Sequence, residues 1–159
     1  MPRKLMAGAV AVLIVASIVV GVAVAGARSP NPRSHQHGQT LRFAIRFSDS
    51  FLLDLGERGP SKGDQIISND RLLNSSGTEV GHDGLACTVT DPSEPEAACQ
   101  GSFVLPGGQL TVQFLNSPPS VKIGAITGGT GRYRTARGQM KLVEPATGNV
   151  GSVTFFVSR

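Results

Sequence analysis

Charge is scarce in this chain. Asp, Glu, Lys and Arg make up 16% of its 159 residues, tryptophan is absent and tyrosine occurs once, whereas glycine occurs 20 times. That profile excludes a disordered or coiled-coil chain and suits a compact β protein with many turns. Long runs of one sign are also missing, and two of the net +4 charges belong to Arg3 and Lys4 near the amino terminus. A nucleic-acid partner is therefore not expected. No His, Cys, Asp or Glu cluster has metal-ligand spacing, and His35 and His37, two apart in a polar stretch, read as solvated. Neither a metal nor a cofactor is expected. No Ser-His-Asp or Cys-His arrangement is present, and no amphipathic helix is visible beyond the first residues.

The amino terminus is the one long apolar stretch. Pro2-Arg3-Lys4 precedes an uncharged run of about 23 residues, Leu5 to Ala27, with small residues for signal peptidase at Ala23-Val24-Ala25 and Ala25-Gly26-Ala27. The run suits a cleaved signal peptide and is also long enough to span a bilayer as an uncleaved hydrophobic helix. Either way the positive end stays in the cytoplasm and the body is exported, to be secreted or tethered at the outer face of the membrane. No twin arginine occurs, so the general secretion route is the default. Membrane contact is expected only through residues 1–27. Residues 28–38 lack apolar periodicity and read as a flexible linker, which leaves 39–159 as the folded domain.

Export places Cys87 and Cys99 in an oxidising compartment. Midway between them lies Asp91-Pro92-Ser93-Glu94-Pro95-Glu96, a turn-rich, strand-breaking segment. A hairpin centred there sets the two cysteines opposite each other, which predicts a cross-strand disulfide; the alternative is a pair of buried thiols.

Period-two alternation predicts eight short strands. Leu41, Phe43, Ile45 and Phe47 alternate with polar residues in the first, and residues 49–62 read as irregular. Further strands are expected over Gly63 to Asn74, Val80 to Val89 and Ala97 to Leu105, then from Leu110, over Val121–Ile126, Gly138–Val143 and Val150–Val157. Sequential hairpins of this kind protect their edges by closing into an eight-stranded antiparallel β-barrel, and an open β-sandwich is the alternative. A barrel of this size is filled by side chains or holds one small ligand.

The most distinctive stretch is Ala125 to Gly138, in which Gly128-Gly129-Thr130-Gly131 is followed by Tyr133 and by Ala136-Arg137-Gly138. It reads as a strand ending in a tight glycine corner, one irregular turn, and re-entry into a sheet at Gly138. A phosphate loop would need Lys where Arg132 stands, and a dinucleotide fingerprint would need a following helix. The segment resembles the signature of the allene oxide cyclase/dirigent barrel family. Gly63-Asp64 followed by Ser68-Asn69, the Gly81 to Cys87 spacing, and Gly101-Ser102-Phe103 with Gln109 to Gln113 extend the resemblance over most of residues 40–158.

The resemblance implies an eight-stranded antiparallel barrel, often trimeric, around an apolar cavity open at one end; a homotrimer or homodimer is the expected assembly. It further implies a small hydrophobic or phenolic ligand, with dirigent-like guidance of a reactive intermediate. The alternatives are isomerase or cyclase action of the allene oxide cyclase type, and a structural cell-envelope barrel without ligand. Carried over by position, Asp49 (after Phe47-Ser48), Asp70 and Arg137 take the catalytic places, and Asn69 is a ligand for a substrate oxygen. Arg132 stands where dirigent proteins carry an acid, and no glutamate occurs from Gln39 to Leu53, where the cyclases have one. On physical grounds Asp49 reads as a general acid or a turn residue, and Asp70 as a site residue or a partner of Arg71. Arg132 and Arg137 either reach an anionic ligand group or tie the corner's carbonyls. Tyr133 is a ligand contact or a core plug whose hydroxyl finds a partner.

Overall fold

In a computed structural model of the chain, the described residues are 38–48 and 50–158. The leader, most of the linker and Asp49 lie outside them. The strands are β1 (Gln39–Arg46), β2 (Phe51–Leu53), β3 (Gln65–Ser68), β4 (Arg71–Leu73), β5 (Glu79–Asp91), β6 (Glu96–Leu105), β7 (Gly108–Asn116), β8 (Val121–Gly129), β9 (Arg137–Val143) and β10 (Val150–Ser158), with one 3-10 turn at Gly131–Tyr133. Among the described residues no helix is long and apolar enough to cross a membrane.

All pairings are antiparallel. The order β5-β4-β1-β10-β9-β8-β7-β6 returns to β5 through the β5–β6 ladder, so the sheet closes. β2 and β3 continue the paths of β1 and β4 beyond short breaks and pair with each other, so the barrel has eight staves. Closure rules out the sandwich.

Alternation assigns the faces. Leu85 and Cys87 of β5, Cys99 and Phe103 of β6, Leu110, Val112 and Phe114 of β7, and Val153, Phe155 and Val157 of β10 all point inward and are buried. Phe155 packs edge-on against Phe103, with ring centroids 5.0 Å apart, and against Phe43 at 6.5 Å. Phe103 and Phe155 belong to the buried core, and Phe43 packs against it. Cys87 stands opposite Cys99 in the β5–β6 register and the two form a disulfide, as the position of the turn implies.

The turns follow their residues. Pro106-Gly107 links β6 to β7, with Gly107 at φ +100° as the third position of a tight turn requires. Asn74 Oδ1 accepts from Ser76 N–H and Thr78 N–H in the β4–β5 turn. At the glycine corner β8 ends at Gly129, the 3-10 turn follows, and β9 starts at Arg137. Gly138 has φ +130°, and a Cβ there would collide with the Phe156 carbonyl of β10. Only glycine fits.

Two details depart from the alternation pattern. The segment 49–62, expected to be irregular, contributes β2, whose three residues are all exposed. The stretch from Gly63 to Asn74, expected as one strand, is split at Asn69-Asp70, because the Asp83 carboxylate takes the Asp70 N–H (2.8 Å) that a regular ladder would give to a carbonyl. Asp64 is structural. Fully buried, it accepts from Leu55 N–H and Ser61 N–H at 2.8 and 2.7 Å, and these bonds hold its carboxyl below the usual range.

Candidate functional site

The end of the barrel opposite the glycine corner is open. There the inward faces of β3, β5, β7 and β9 and the segment after β1 enclose a cavity of about 360 Å³. Its apolar wall is Phe47, Ile66, Leu85, Cys87, Phe114 and Leu142, and its polar lining is Ser48, Ser50, Ser68, Asp70, Asn116 and Glu144. The volume lies above the roughly 300 Å³ at which small-molecule pockets begin. Larger hollows of about 560 and 630 Å³ lie among Ala86, Gln100 and Gln113, which point outward from β5, β6 and β7. These are stretches of outer barrel surface, whereas the mouth cavity is walled by the staves themselves.

Two carboxylates meet where both interrupted staves break. Asp70, 2% exposed, lines the cavity and accepts from Ser48 N–H at 2.9 Å. Asp83, fully buried on β5, accepts the Asp70 N–H through Oδ1, while its Oδ2 has no partner. Ser48 Oγ–H donates to the Asn69 carbonyl at 2.7 Å, and Asn69 Nδ2–H donates to the Asp83 carbonyl at 2.5 Å. These bonds replace the missing ladder. Burial, and to a lesser degree the nearby Asp70 charge, push the Asp83 carboxyl up to about 7, against the pull of the Asp70 N–H. A carboxyl poised there exchanges a proton at neutral pH, the property required of a general acid or base.

Across the mouth stands a third carboxylate. Glu144, just past β9, lies 3.5 Å from Lys122 Nζ. Lys122 is 6% exposed and points inward from β8, and its ammonium also donates to the carbonyls of Ser117 (2.6 Å) and Pro119 (2.8 Å).

Of the residues singled out in the sequence, Asp70 reaches the cavity, and Asp49 lies outside the described residues. Asn69 is exposed on the outer face, where it secures the β3–β4 break. Arg132, Tyr133 and Arg137 sit at the other end of the barrel. Arg137 is exposed and donates to the Ala136 carbonyl at 2.7 Å. The Arg132 side chain lies over Gly107, and the Arg132 backbone N–H donates to the Gly107 carbonyl at 2.9 Å. Tyr133 is buried and its hydroxyl donates to the Pro106 carbonyl at 3.1 Å, which closes the floor. The corner and the β6–β7 turn share that end, so none of the three lines the mouth cavity. Sequence reasoning missed Asp83, Glu144 and Lys122. The signal for Asp83 was present: it falls two residues before Leu85 and four before Cys87, on the inward parity of β5. Lys122 likewise shares parity with Gly124 and Ile126.

The fold agrees with what comparison with known proteins finds. A profile described as an allene oxide cyclase barrel like domain matches residues 48–155, about two thirds of the chain. The chain belongs to this family. Among solved structures this family member is similar to a pyocyanin demethylase, with 27% identity and a TM-score of 0.65 over 76% of this chain and 100% of that one. A pterocarpan synthase dirigent protein aligns over 83% of this chain and 94% of its own, at 19% identity and TM-score 0.61. A Diels–Alderase from Streptomyces koyangensis aligns over 76% of this chain and 64% of its own, at 10% identity and TM-score 0.59. At such identities the last two speak for the barrel alone. A search of curated proteins finds no match.

Proposed function

We propose that this allene oxide cyclase-like barrel binds one small hydrophobic or phenolic molecule in its mouth cavity and guides a reactive intermediate of it, in the manner of a dirigent protein. In this reading the leader exports the barrel, which acts secreted or tethered outside the cytoplasmic membrane. The observation that carries the proposal is a largely apolar cavity of about 360 Å³ with the buried Asp70 at its wall and the buried Asp83 bonded to the Asp70 N–H. The apolar wall holds the ligand skeleton by excluding water from it. Asp70 meets the polar end, and Asp83 behind it supplies or takes up a proton as charge develops. The proteins that share the fold are named for reactions of small molecules, which supports a cavity role over a wholly structural one.

Thermal-shift and native mass spectrometry measurements with a panel of phenols, terpenoids and lipids test the reading. At least one class should bind the wild type with one-to-one stoichiometry and fail to bind a Leu142→Trp variant that fills the cavity. A panel without binders, or binding that survives the tryptophan in a folded variant, would refute it.

A further inference from the structure

We infer that the mouth cavity selects its ligand by charge, accepting aromatic cations and neutral hydroxyl donors and rejecting carboxylates of the same shape. The inference rests on the reading that this cavity holds a small molecule. It goes further by naming the chemical class.

The charged groups facing the cavity are of one sign. Asp70 and Glu144 line it from different walls, and the other polar lining groups are the Ser48, Ser50 and Ser68 hydroxyls and the Asn116 amide. Among the described residues, no Lys, Arg or His lines it. Among the described residues Lys122 is the cation beside it; its ammonium donates to Ser117 O and Pro119 O and lies 3.5 Å from Glu144 Oε2. It is paired with Glu144 and does not line the cavity. Arg132 and Arg137 belong to the far end. A cavity whose charged lining is carboxylate favours a ligand that brings a donor proton or a positive charge. A ligand carboxylate would be stripped of water, placed among like charges and offered no cation, an arrangement that low local dielectric penalises.

Three probes of one skeleton test this on the full chain by titration calorimetry near neutral pH: 1-naphthylmethylamine as the cation, 2-naphthol as the neutral donor and 2-naphthoate as the anion. The amine and the naphthol should each bind on the order of tenfold or more tightly than the naphthoate, the scale of one desolvated charge contact. Glu144→Gln, a surface-proximal change checked for an unaltered circular dichroism spectrum, should weaken the amine and strengthen the naphthoate, each relative to the naphthol. Asp70→Asn should act in the same direction if it folds. Naphthoate binding as tightly as the amine, or an unchanged ratio in Glu144→Gln and a folded Asp70→Asn alike, overturns the charge selection while leaving the cavity reading intact. Failure of all three probes to bind the folded wild type overturns both.

Discussion

Asp83→Asn separates the energetic cost of the buried acid from its use. In the folded chain the Asp83 carboxyl is pushed from 3.8 up to about 7 by burial and by the neighbouring Asp70 carboxylate. Between those values the native state holds a proton that the unfolded chain has released, so stability falls as pH rises. The stabilisation is fully present below the unfolded value of 3.8 and is gone once pH passes the folded value of about 7. The displacement sets a ceiling of about 4 kcal/mol, of which about 2–3 kcal/mol is lost between about pH 5 and about pH 8. Asparagine carries no charge at any pH and removes this slope. Asp64 and Asp91, whose carboxyls are held low, act in the opposite direction, losing their contribution only as pH falls through the acid range, below this window. Urea unfolding followed by circular dichroism at several pH values measures both proteins, and groups common to both cancel in the difference. The variant should gain about 2–3 kcal/mol on the wild type across the window. Parallel curves for the two proteins would refute the reasoning, as would wild-type stability that rises with pH there.

Four further outcomes follow from the geometry. Replacing Cys87 and Cys99 by serine opens a loop with a sequence separation of 12 and should cost about 2–3 kcal/mol in urea unfolding, with reduction of the wild type giving the same loss. Gly138→Ala, at φ +130° against the Phe156 carbonyl, should cost about 2 kcal/mol or more, while Gly77→Ala, at φ +78° in open space, should cost about 1 kcal/mol; equal melting temperatures for the two would contradict the packed corner. Tyr133→Phe removes the bond to the Pro106 carbonyl and should cost about 1 kcal/mol without changing the affinity of any mouth-cavity probe. Lys122→Met leaves the Ser117 and Pro119 carbonyls without their shared donor and Glu144 without its ion-pair partner, and should lower stability by about 2 kcal/mol, read as a fall in melting temperature.

The chain alone determined a good deal. Strict alternation in Leu41-Phe43-Ile45 and its seven counterparts set the strands and their inward faces, because an inward residue recurs every second position. The turn midway between Cys87 and Cys99 set their register. The glycines of the corner set the break between β8 and β9, since no other residue takes φ +130° against a neighbouring strand. Alternation reports the face on which a side chain lies but not its height along the barrel axis. Height depends on how the staves stagger when the ring closes, a property of all the ladders together. Only the tertiary structure therefore brings Asp70 against Asp83, 13 residues away, and sets Lys122 beside Glu144. The same stagger places Arg132, Tyr133 and Arg137 at the closed end. The split between β3 and β4 was equally hidden, because it arises where the Asp83 carboxylate competes with a backbone carbonyl for the Asp70 N–H. Local sequence states preference, and which partner wins is settled by what the closed ring brings within reach.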